Sequence, residues 1–117
     1  MDLDTAVKAH GEWKIRLREA IQKKEKIDAR SLSADDRCPL GQWLHGEARG
    51  RYSGLKHYGA CVARHAEFHR QAGKVAEAIN AGRYAEAETM LGGGKPYATS
   101  SSDVGVSILA LRREARL

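Results

Sequence analysis

Cysteine occurs only twice in the 117 residues, which excludes a disulfide framework as the source of stability. No apolar run approaches the roughly 20 residues of a membrane-spanning helix, and the longest is Ser107-Ile108-Leu109-Ala110-Leu111. The opening Met1-Asp2-Leu3-Asp4 is acidic and carries no secretory apolar segment. These absences lead to the expectation of one cytoplasmic domain over residues 1–117, long enough to fold around its own core. Aromatic residues make up 6% of the chain and do not interleave with Lys or Arg. The net charge of +5 therefore reads as a solvated surface, with no nucleic-acid partner expected. β-Branched residues are sparse and no segment alternates polar with apolar, so strands are not expected.

What the chain does contain is Ala, Glu, Lys, Arg and Leu at helical spacing, the pattern of an all-α helical bundle. Four to five helices are expected, three long and two short. The first covers about 2–26, with Leu3, Val7, His10, Trp13, Leu17, Ala20 and Ile21 on one face. Residues 29–36 read as a turn, with Ser33 and Asp36 at the spacing of a capping box. A short helix over about 38–46 tolerates Pro39 in its first turn. The most regular stretch, 53–80, sets Leu55, Tyr58, Val62, His65, His69, Ala72, Ala76 and Ile79 on one seam. A small helix over about 83–91 leads to the breaker Gly92-Gly93-Gly94-Lys95-Pro96. The closing helix carries Tyr97, Ser101, Val104, Ile108 and Leu111.

Three histidines occupy seam positions where apolar residues belong. Burying one polar group without a partner costs on the order of 1–3 kcal/mol, a serious share of the roughly 5–15 kcal/mol that keeps a domain folded. Each ring can be satisfied by a backbone carbonyl or a buried water, leaving a metal-free scaffold. The pair His65 and His69 at i and i+4 suggests something else, because one helical turn stacks both rings on one face. His10 supplies a third imidazole from another seam. Cys38 stands at a helix start, where free N–H groups favour the thiolate that binds metal. Three imidazoles and one thiolate form a closed four-coordinate set suited to Zn2+. A closed set leaves no position for a substrate water, so a regulatory or structural role is expected, not an enzyme. A catalytic alternative would need Cys38 off the metal.

The other candidates are weaker. His45 and His57 fall on turn or exposed positions, Cys61 reads as a buried free thiol, and Trp13 reads as core. His65-Ala66-Glu67-Phe68-His69 lacks the Glu that a zinc protease sets directly after its first His; Glu67 lies about 200° around the helix. No His has an acid three residues before it, as a di-iron bundle needs. Lys95 has neither the P-loop glycine nor the following Ser or Thr.

Cys38-Pro39-Leu40-Gly41-Gln42-Trp43 resembles the Cys-x-Leu/Phe-Gly-x-Trp signature of the chemoreceptor zinc-binding domain family. His10 upstream and His65-x-x-Phe68-His69 downstream extend the resemblance, with spacings of 28, 27 and 4 residues. The resemblance implies a helical bundle holding one zinc through His10, Cys38, His65 and His69. It also implies bacterial signalling, a homodimer, and a chemoreceptor or diguanylate cyclase whose output follows zinc occupancy or oxidation of Cys38, for instance by hypochlorous acid. The sequence shows no receptor or cyclase segment, so a free-standing version or an excised piece is expected, with a slight lean to the former. Gly41 is expected to permit a close helix approach, and Trp43, with Phe68, to pack around the site.

Overall fold

The computed structural model describes residues 1–117. Seven helices and no strand follow one another: α1 (Leu3–Lys23), α2 (Ala29–Ser33), α3 (Pro39–His45), α4 (Glu47–Tyr52), α5 (Tyr58–Asn80), α6 (Tyr84–Met90) and α7 (Pro96–Ala115). The all-α bundle is as expected, with three long helices; the short ones number four. α5 is the central element, packed against α7 on one side and α2 on another. Arg64 pairs with Asp103, and Glu114 accepts from the backbone N–H of His57, so α7 runs antiparallel to α5. Arg112 pairs with Asp4, which sets α1 antiparallel to α7 and parallel to α5.

The core follows the helical stripes. Leu17 of α1, Leu40 and Leu44 of α3, Phe68 and Ile79 of α5, and Ile108 and Leu111 of α7 are fully buried. Burying each such side chain stabilises the fold by about 1.5–3 kcal/mol before entropy is counted. α5 buries a second row beside its seam, with Cys61, Phe68, Val75 and Ala78, because helices cover it on more than one side. Its first expected seam positions, Leu55, Tyr58 and Val62, are half-buried at the open end. On α7 it is Ser100, donating to the Tyr97 carbonyl, that is buried, while Ser101 is half-buried.

Two departures from the sequence reading have local causes. Residues 29–33 form a helix rather than a turn because Asp28 caps it, its carboxylate accepting from the Ser31 N–H and hydroxyl. Ser33 then donates to the Ala29 carbonyl inside that helix, and the expected Ser33–Asp36 capping box does not form. The long helix begins at Tyr58, not Ser53, because residues 47–52 make the separate turn of α4. No side chain of α5 caps its own start. Glu114, reaching across from the end of α7, instead accepts from the N–H groups of Lys56 and His57, both at 2.7 Å.

α2 is fixed to α5 at two points. Asn80 clamps the segment leading into α2, accepting from the Ile27 N–H at 2.9 Å and donating to the Ile27 carbonyl at 2.7 Å. Two turns back along α5, a Cβ on Gly73 would lie 1.8 Å from the Ser33 hydroxyl oxygen and 3.1 Å from its Cα. Only glycine allows the two helices to approach this closely. Gly73→Ala is expected to destabilise the protein by about 1–3 kcal/mol through overpacking, read as a lowered urea midpoint. Ser33→Gly in the same chain should recover part of that loss; recovery of none would show that the contact is not the cause.

Candidate metal centre

Each of the four candidate ligands is delivered by a different structural device. His10 sits one turn above Ala6 on the inward stripe of α1, and its Nδ1–H donates to the Ala6 carbonyl at 2.7 Å. His65 and His69 stack on consecutive turns of α5, ring centroids 4.5 Å apart. His69 Nδ1–H donates to the Leu32 carbonyl of α2 at 2.8 Å, the approach that Gly73 permits. Cys38 is the N-cap of α3: extended, followed by Pro39 at the first helical position, with its sulfur accepting from the Gly41 N–H at 3.3 Å. The sulfur does here what a Ser or Asp oxygen does at an ordinary cap.

These devices bring four donor atoms together, all within 4.8 Å of one another. The Nε2 atom of His65 is 3.1 Å from that of His10 and 3.0 Å from that of His69. The Cys38 sulfur is 3.2, 3.6 and 3.8 Å from the Nε2 atoms of His65, His69 and His10. A tetrahedral zinc with usual bond lengths has edges of about 3.3 Å between nitrogens and about 3.6 Å from nitrogen to sulfur. Five of the six edges are close to that size, and the sixth, between His10 and His69, lies within 4.8 Å.

Counting hydrogens shows what the arrangement needs. A carbonyl only accepts, so His10 and His69 carry their ring protons on Nδ1 and present bare Nε2 lone pairs to the centre. Two hydrogens remain for the four atoms, one on His65 and one on the thiol. His65 Nδ1 is buried and has no partner; if the proton moves to Nε2, a bare acceptor is left in an apolar surrounding. Four lone-pair donors in contact with at most two hydrogens among them fit a central cation better than a hydrogen-bonded core.

Burial sets the protonation of the donors. It lowers the pKa of His10 and of His69. For His65 burial, reinforced by the neighbouring His69 and His10, lowers it to about 3. All three rings are therefore held neutral, as ligation requires. At Cys38 burial raises the thiol above its ordinary value, outweighing the N–H groups of Gly41 and Leu40 that lower it. The helix start acts in the expected direction but does not by itself yield a thiolate.

Phe68 is fully buried and meets His10 and His69 edge-on, with centroids 5.3 and 5.4 Å away. It forms the apolar wall of the site and rests in turn on Tyr97. Trp43 is buried too, but its aromatic partner is Tyr52, so it ties α3 to α4. Gly41 permits the expected close approach, although to a loop rather than a helix: a Cβ there would lie 1.6 Å from the Asp35 carbonyl oxygen. Trp13 lies half-buried at the core's edge under the Arg16 guanidinium, 3.8 Å from the ring centre, and not in the core. It lines a cleft of about 740 Å³ that also reaches His10, Cys38 and His69. Cys61 is a buried free thiol, its pKa pushed up to about 11. Glu67 turns away to Arg70 and Gln71. His45 is exposed and pairs with Asp35; His57 is half-buried. The carbonyls of Ala6 and Leu32 escaped the sequence reading. The first sits four residues before His10 and could have been found; the second is brought in by tertiary packing alone.

The depressed histidine values carry a sign. In the unfolded chain these rings protonate near about 6.5, whereas the folded rings stay neutral to lower pH. Their contribution to stability is present above about 6.5 and is lost as pH falls toward the folded values. With metal chelated, the urea midpoint is expected to fall between about pH 7.5 and about pH 5. A constant midpoint would contradict the neutral buried cluster.

Residues 10–76 match the family described as the chemoreceptor zinc-binding domain. The matched stretch opens on His10 and contains all four converging side chains. No curated protein and no solved structure matches the chain. With a family match over more than half its length, the chain belongs to the chemoreceptor zinc-binding domain family.

Proposed function

We propose that this domain binds one Zn2+ through His10, Cys38, His65 and His69 and acts as a regulatory module of bacterial signal transduction. The observation that carries the reading is the convergence of the four donors within 4.8 Å, with two ring protons committed outward to carbonyls. When bound, zinc supplies a positive centre that cross-links α1, α3 and α5. A set of four protein donors has no position left for a substrate water, which favours binding over catalysis. A metal-free scaffold is disfavoured by the shortage of hydrogens in the cluster.

The regulatory element in this proposal is α3. It is seven residues long, carries one ligand at its cap, and borders the cleft that reaches Cys38 from solvent. Loss of the Cys38 bond, by metal removal or by an oxidant such as hypochlorous acid, releases the start of α3 while His65 and His69 stay on the central helix. A chemoreceptor or a diguanylate cyclase, in cis or in trans, reads that change, and a homodimer is the expected assembly. The location proposed is the cytoplasm; no helix is long and apolar enough to cross a membrane.

Zinc titration of the purified protein and of its Cys38→Ser and Cys38→Ala variants tests this directly. One zinc per chain is expected in the wild type. Both substitutions should weaken binding by more than the roughly 10–100-fold typical of residues behind the ligands. Equal affinity in all three proteins would remove Cys38 from the site and end the proposal.

A further inference from the structure

We infer that the cleft beside α1 is the port through which Zn2+ enters and leaves the centre, by direct exchange with a small chelating molecule seated in it. The inference rests on the zinc-binding reading above and adds a route to it.

α1 packs against α7 and α5. On another side Thr5, Ala9 and Trp13 follow one another at four-residue steps and line the cleft from one face of the helix. Thr5 and Ala9 are short, and they leave a gap before the opposite wall, which Ile27, Leu32 and Pro39 form on the approach to α2, on α2 and at the start of α3. The gap is the cleft of about 740 Å³, inside the roughly 300–1,000 Å³ of pockets that hold small molecules. Trp13 lines it with its ring held under the Arg16 guanidinium.

The cleft meets the donor cluster from one side. His10, Cys38 and His69 border it, whereas His65 is fully buried and does not. His65 is also the hub of the four, its Nε2 lying 3.0, 3.1 and 3.2 Å from the other three donor atoms. The Cys38 sulfur stands farther from His69 and His10, at 3.6 and 3.8 Å. The triangle of His10, Cys38 and His69 therefore faces the cleft, with His65 behind it.

A zinc held by four donors can accept a fifth for the moment of exchange. The cleft gives that fifth donor its approach, opposite His65. Each bond to the incoming chelator then replaces one bond to the protein, and no bare ion crosses the apolar interior, where its charge would be costly.

Zinc-loaded protein mixed with excess pyridylazo dye, either free or coupled to dextran, tests the route. Release to the free dye is expected to quicken as the dye concentration rises. Release to the coupled dye, too large for the cleft, should be several-fold slower and independent of concentration. Thr5→Trp, at an exposed position whose new ring fills the cleft, should slow release to the free dye several-fold. Trp13→Ala, which widens the cleft, should speed it. Equilibrium affinity, measured by competition with the same dye, should stay at the wild-type value in both variants, because a port alters entry and exit alike. Ile15→Ala, on the same helix but outside the cleft, should leave the rate unchanged. Equal rates in wild type and Thr5→Trp, equal release to the two dyes, or release indifferent to the free-dye concentration would each overturn this inference alone. So would a rate change matched by an equal change in affinity, which would place the effect on the ligands. A wild type that takes up no zinc would overturn the metal reading and this inference with it.

Discussion

Four lone-pair donors meet in the interior of this bundle, and the repulsion among them is the constraint on which the rest of the structure depends. Imidazole nitrogens 3.0 and 3.1 Å apart are tolerable only with a hydrogen or a cation between them. The outward hydrogen bonds of His10 and His69 have already committed two of the four hydrogens that could serve. Those two carbonyls do more than satisfy ring protons: they select the tautomer that turns Nε2 inward, the usual office of groups behind a metal ligand. In the zinc-binding reading, buried imidazoles that would be a burden in a scaffold serve as ligands.

The fold is arranged to deliver those atoms. α5 supplies two ligands on consecutive turns and is the element most fully enclosed by others, so its rings are fixed. α1 supplies one from a stripe that packs against α7 and α5. α3 supplies the sulfur from a helix cap, the least embedded of the three devices. Cys38 is half-buried, whereas His10, His65 and His69 are buried. Gly73, Asn80 and Gly41 each remove an obstacle or add a clamp that sets α2 and the start of α3 against α5, and through Leu32 that packing reaches His69.

Much of this was legible in the sequence because the informative residues lie on regular helical periods. His65 and His69 break an otherwise apolar seam at i and i+4, and His10 breaks another; an imidazole in a core position is conspicuous without coordinates. Cys38-Pro39 announces a helix start through proline's fixed φ. What escaped depends on contacts between segments distant in sequence. The five residues of α2 lack the length to form alone and are held by Asp28 and by the surface that Gly73 opens. Glu114 caps a helix that begins more than fifty residues earlier, so no local pattern reveals it. Trp13 sits on the inward stripe by its spacing, yet α1 meets a cleft there instead of a helix. The thiol of Cys38 shows the same limit. The N–H groups at its helix start are visible in the sequence, whereas the burial that outweighs them is a property of the folded chain.

X-ray absorption at the zinc edge of the loaded protein tests the central claim most directly, since it reads the identity and distance of the atoms around the ion. Three nitrogens at about 2.0–2.1 Å and one sulfur at about 2.3 Å are predicted. A shell of nitrogen and oxygen with no sulfur, in fully reduced protein carrying one zinc, would contradict it.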